Sequence, residues 1–125
     1  MFQEPEHFTN SDHFFFEFND ELASVCNAPK DKQGVFKILE LRKGEIKLVF
    51  IGHSGSDGLF DAIVLGHHRN GKSRSTSLSA QLLKDETDAL DIYWYEINQK
   101  ANPEIIATEM LQDYKISANK LPKWN

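Results

Sequence analysis

Cysteine is nearly absent: Cys26 is the single one in 125 residues, so the chain forms no internal disulfide and supplies no cysteine-rich metal site. A lone cysteine of this kind is usually a small core filler, and Cys26 is read that way. Long apolar runs are also missing, since nothing approaches the roughly 18 to 20 residues of a membrane-spanning helix. The opening Met1-Phe2-Gln3-Glu4-Pro5-Glu6 lacks the basic-then-apolar order of a secretory signal, which leads to the expectation of a cytoplasmic protein with no membrane partner. Positive charge is short as well. Fourteen Lys and Arg face nineteen Asp and Glu, for a net charge of -5, and that balance excludes binding nucleic acid through overall charge alone. The cations are instead local. No acidic residue lies between Asp61 and Asp85, whereas Arg69, Lys72, Arg74, Lys84 and the pair His67-His68 do, a segment that either meets phosphates or forms a solvated basic loop.

What is present is ordinary globular material, 40% apolar and 26% charged, at a length suited to one domain. Residues 1–31 read as a Phe-rich arm and 32–125 as the main body. Phe14-Phe15-Phe16 and Phe18 are costly to leave in water, at ~1.5 to 3 kcal/mol per side chain, so the arm is expected to pack on the body or on a protein partner. Asn19-Asp20 suggests the start of a short helix reaching about Val25, which Asn27-Ala28-Pro29 breaks. Beyond Gly34, two strands at 34–41 and 46–51 flank the turn Arg42-Lys43-Gly44-Glu45. The glycine- and serine-rich stretch Gly52 to Gly58 reads as loop, Leu59 to Leu65 as helix, Gly66 to Ser79 as loop, and Ala80 to Lys84 as a helical turn. Residues 90–97 make a third strand, whose Tyr93-Trp94-Tyr95 invites either base stacking or cross-strand packing.

Asn102 and Pro103 mark a helix start. In that helix Ile106, Ala107, Met110, Leu111 and Tyr114 share one stripe, with Glu109 ~60° outside it and free to face a cleft or solvent. Leu121 and Trp124 are expected to anchor the tail. The fold class is therefore α+β: a small, mainly antiparallel three-stranded sheet flanked by helices, with Phe50 on the middle strand.

The order of Gly34-Val35-Phe36, Phe50-Ile51-Gly52, a Gly/Ser loop, a helix, a strand, Glu109 in a later helix and Pro122-Lys123-Trp124-Asn125 resembles the GIY-YIG endonuclease domain over residues 32–125. The resemblance implies that Phe36 and Phe50 stand at the two motif Tyr positions, with His53 where a basic residue often follows the motif Gly52. It also implies that Ala62 occupies the catalytic Arg position, Glu109 that of the metal ligand and Asn125 that of the final Asn. The implied activity is metal-assisted phosphodiester hydrolysis of DNA, with Mg2+ or Mn2+ as the divalent cation, and Arg69, Lys72, Arg74 and Asn125 as DNA contacts.

Such hydrolysis needs a base for water, a cation against the growing phosphate charge, and a metal or its equivalent. Phenylalanine accepts no proton and alanine carries no charge. His53 can supply a base, and Arg69 or Arg74 a guanidinium. The alternative reading is a catalytically inactive DNA- or protein-binding module on the same fold. Other chemistry finds little footing: Gly71-Lys72-Ser73 lacks the upstream glycine pattern of a phosphate loop, His67-His68 has no cysteine partner for zinc, and residues 73–79 hold no nucleophile elbow.

Overall fold

The computed structural model describes residues 8–65, 74–98 and 100–125. In chain order these form β1 (Phe8–Phe16), α1 (Leu22–Val25), β2 (Gly34–Arg42), β3 (Glu45–His53), α2 (Leu59–Val64), α3 (Arg74–Asp85), β4 (Ala89–Ile97) and α4 (Pro103–Ala118). Lys43 and Gly44 both take positive φ, 50° and 81°, the two-residue connection whose twist suits a hairpin, and Arg42 pairs with Glu45 across it. On its other side β2 pairs antiparallel with β4, and β4 with β1, in the order β1-β4-β2-β3.

Two expectations about the sheet are corrected. It has four strands, because the Phe-rich arm enters as β1, paired from Phe8 opposite Ile97 to Phe16 opposite Leu90. Alternation along β1 explains how the arm hides its rings: Phe14 and Phe16 are buried, while Phe15 points outward. The strand with Phe50 is an edge strand, and β2 lies between it and β4. Its outer edge is occupied by the tail, where Trp124 N–H donates to the Val49 carbonyl at 2.8 Å.

Each sheet face carries its own core. On one face Leu22 of α1, Leu59 and Ile63 of α2, and Leu78 and Leu82 of α3 pack with Phe16, Phe36, Ile38, Leu90 and Ile92. On the other, Ile106, Ala107 and Met110 of α4 pack with Val35, Ile51, Tyr95 and Ile97. Tyr93 and Tyr95 belong to the α4 side and Trp94 to the opposite side, where its Nε1–H donates to Asn27 Oδ1 at 2.7 Å, so the aromatic triplet serves packing on both faces. His13 stacks on Tyr93 at 4.7 Å, and its Nδ1 lies 2.7 Å from Asp91 Oδ1. Partial burial, then the Asp91 charge beside it, raises the Tyr93 phenol above its ordinary value.

Helix starts match the sequence unevenly. Asn102 caps α4 as expected, its side chain accepting from the N–H groups of Glu104 and Ile105, with Pro103 in the first turn. Helix α1 begins only at Leu22, because Asp20 turns back to accept from Glu17 N–H and Asn19 adopts φ 69°. The segment 74–79, expected to be loop, belongs to the twelve-residue α3. Serine and threonine offer the backbone competing local hydrogen bonds, but burying Leu78 and Leu82 one turn apart outweighs that preference at ~1.5 to 3 kcal/mol each. Cys26 is partly buried against the first core, and burial raises its thiol pKa, in keeping with a core filler.

Gly34 and Gly55 provide a paired test. A Cβ on Gly34 would lie 2.0 Å from the Tyr95 carbonyl oxygen and 2.8 Å from Leu59 Cδ1, whereas one on Gly55 meets nothing within 4 Å. Gly34→Ala is expected to lower stability in urea unfolding by about 1–3 kcal/mol or more, and Gly55→Ala to change it by less than about 0.5 kcal/mol. Equal midpoints for the two variants would contradict the close approach of β2 and β4.

Candidate functional site

The end of β3 and the loop into α2 make a cleft because small residues there let aromatic rings and backbone crowd together. A Cβ on Gly52 would lie 2.6 Å from Phe36 Cζ and 2.7 Å from Phe50 Cε2, so only glycine leaves room for the two rings, whose centroids are 5.8 Å apart. A bulge in β3, where the pairing steps from Ile38–Phe50 to Leu39–Leu48, brings both Val49 and Phe50 to the side of α2. Ser54 is buried and locks the loop to β2: its N–H donates to the Gly34 carbonyl, and Gly34 N–H donates to its Oγ, both at 2.9 Å. Gly58 turns the chain into α2 with φ 95°. The first amides of α2 are already used, Leu59 N–H by the Lys32 carbonyl and Phe60 N–H by the Pro29 carbonyl.

The resulting cleft has a volume of about 700 Å³. Its apolar lining comes from Phe36, Phe50, Ile51, Ala62, Leu65 and Leu111, and its polar lining from His53, Asp57, Asp61 and Asn125. Neither lysine nor arginine is among the described residues that line it. Asp57 and Asp61 make no ion pair among the described residues. His53 Nδ1 lies 2.9 Å from the Ser54 carbonyl oxygen, a contact that requires a proton on Nδ1 and leaves Nε2 as the lone-pair nitrogen of the neutral ring.

Of the residues singled out in the sequence, Phe36, Phe50, His53, Ala62 and Asn125 meet at this cleft. Glu109 does not join them. It is exposed on α4, and the helix presents Leu111 to the cleft, about 200° around the axis from Glu109. Arg69 and Lys72 lie outside the described residues, as does the pair His67-His68, and Arg74 is the first residue of α3. Among the described residues no three of His, Cys, Asp and Glu are placed to hold a metal ion. Sequence reasoning missed Asp57, Asp61, Leu65 and Leu111. The helical wheel that set Glu109 outside the buried stripe also placed Leu111 on it, which was the available signal.

Asn125 acts on the backbone. Its Oδ1 accepts from Ile51 N–H at 3.0 Å and its Nδ2 donates to the Ile51 carbonyl at 2.9 Å, as a neighbouring strand would. The tail is held further by buried Pro122 and by Lys123, whose Nζ lies 2.7 Å from Asp85 Oδ2 and 3.7 Å from Glu40 Oε2. Leu121, expected to be an anchor, is exposed, since the chain reaches the core only at Pro122 and Trp124. No family model, curated protein or solved structure matches the chain.

Two outcomes follow from the tail. Asn125→Asp puts a carboxylate against the Ile51 carbonyl and removes a donor, with an expected loss of about 1–3 kcal/mol in urea unfolding. Hydrogen bonds from Lys123 and then Gln81 hold the Asp85 carboxyl below its ordinary value. Its contribution to stability is therefore complete above the unfolded carboxylate value and is lost as pH falls through the lower folded one. Acid unfolding of Lys123→Met should show a weaker dependence on pH in that window; an unchanged profile would remove Lys123 as the cause.

Proposed function

We propose that this chain is a binding module on a GIY-YIG-like fold, one that keeps the cleft of a nuclease without the groups that hydrolyse a phosphodiester. The observation that carries this reading is the identity of the side chains at the cleft. Ala62 stands at the motif Arg position, Phe36 and Phe50 stand at the Tyr positions, and α4 offers Leu111 where a carboxylate is needed. One missing electrostatic group of this kind typically costs ~3 to 4 kcal/mol of transition-state stabilisation. The family relation is part of the proposal. It is supported by the hairpin, the helix after the glycine loop, the later strand and α4 following in the expected order, and by Asn125 returning to the second motif strand at Ile51.

Electrostatics point the same way. A DNA phosphate entering the cleft meets Asp57 and Asp61, and no lining lysine or arginine compensates among the described residues. The amides at the start of α2, a common anion site, are spent on Lys32 and Pro29. One observation favours hydrolysis instead: His53 lines the cleft, and with Nδ1 committed to the Ser54 carbonyl its Nε2 is the nitrogen that can accept a proton from water.

Plasmid relaxation separates the two. Supercoiled DNA is expected to remain intact with the purified chain in magnesium or manganese, in low salt and near neutral pH. Cutting that disappears in His53→Ala would defeat the binding reading; cutting that survives both His53→Ala and Glu109→Ala would indicate a contaminant.

A further inference from the structure

We infer that the cleft receives an arginine side chain of a protein partner, carried on a segment with an apolar residue beside it. The inference rests on the binding reading above and names the occupant that the lining selects. The cleft lining is mixed in chemistry. Phe36, Phe50, Leu65 and Leu111 supply apolar surface, while Asp57 from the loop and Asp61 from the first turn of α2 add two carboxylates. Neither carboxylate has an ion-pair partner among the described residues. His53 adds an acceptor in Nε2 and no positive charge while neutral.

An occupant that satisfies this set is a cation on an apolar stem. Guanidinium suits it better than ammonium. The planar fork gives several donors to carboxylates at once, stacks on an aromatic face, and is more weakly hydrated, so it loses less on leaving water. The methylene stem of the same side chain covers apolar lining. An exposed Leu65, 52% accessible at the cleft margin, is the contact for the neighbouring apolar residue. A polyanion is the wrong complement, since each phosphate would approach two unneutralised carboxylates. A volume of about 700 Å³ holds one long side chain and part of its neighbour, which is the scale of a peptide contact and smaller than a duplex.

The test is an amide NMR titration of the full chain with four probes: a blocked heptapeptide with arginine between two leucines, the same peptide with citrulline, the same with glutamate, and a short DNA duplex. The expected result is a saturable shift of amides from Gly52 to Ala62 and at Leu111 with the arginine peptide, and binding at least about tenfold weaker with citrulline, which keeps the shape and loses the charge. Asp57→Asn with Asp61→Asn should weaken the arginine peptide by about tenfold with an unchanged thermal midpoint. Leu65→Ser, also exposed, should weaken the arginine and citrulline peptides alike.

Equal affinity for arginine and citrulline, no shift up to millimolar peptide, or shifts confined to other surfaces would overturn the inference. Duplex DNA shifting the cleft amides while plasmid stays intact would overturn the arginine occupant and leave the binding reading standing. Plasmid cutting lost in His53→Ala would overturn both.

Discussion

Where β2 crosses β4 there is no space for a side chain at position 34. The Tyr95 carbonyl closes one side of Gly34 and Leu59 another, and Ser54 completes the contact with two backbone-directed hydrogen bonds. This crowded point sets the register of the two central strands, and a strand's faces alternate from that register onward. Val35 consequently goes to α4 and Phe36 to α2. A slip of one residue would turn Lys37 into the first core and Phe36 toward α4, so both cores depend on the same contact. The cleft depends on it too, because Ser54 holds the loop that carries Asp57 beside the end of β3.

The edge of β3 is managed by the chain itself. Free strand edges pair with other chains unless they are covered, and here Trp124 and Asn125 cover three successive residues' reach of that edge with one backbone and two side-chain hydrogen bonds. Lys123 ties the same tail to Asp85 at the end of α3, so a helix on one face of the sheet and the edge of β3 share a fastening. The cost is visible in Trp124: its Nε1–H is buried with no partner among the described residues, a penalty of about 1–3 kcal/mol that burial of the ring against the first core offsets. Asn125, which the sequence suggested as a DNA contact, hydrogen-bonds both backbone groups of Ile51 and is among the residues that line the cleft.

On the proposed reading, a phosphate-handling arrangement and a cation-binding one differ by few side chains. Both want a cleft at the end of a strand, next to a glycine loop and a helix. A nuclease places positive charge and a proton acceptor there, whereas this cleft has two carboxylates, aromatic rings and an imidazole. Charge sign at the wall, more than fold, decides which partner gains by entering.

Much of the local structure was legible in residues 34–65 and 89–118. Lys43-Gly44 specified its turn, the alternation around it specified a hairpin, Asn102-Pro103 specified a helix start, and the stripe through Ile106 and Met110 specified the face that packs. These signals act over a few residues, through backbone geometry and periodic burial, so sequence alone carries them. The fourth strand, the edge position of β3 and the helical state of 74–79 were not legible, because each is decided by contacts between residues far apart in the chain: Phe16 with Leu90, Asn125 with Ile51, Leu78 with the first core. The candidate site divides in the same way. Sequence order brought Phe36, Phe50, His53 and Ala62 into one group, and the hairpin register keeps them together. Only the rotation of α4 against the sheet put Leu111 at the cleft and Glu109 in solvent, since a helix exposes all its sides and tertiary packing alone chooses among them.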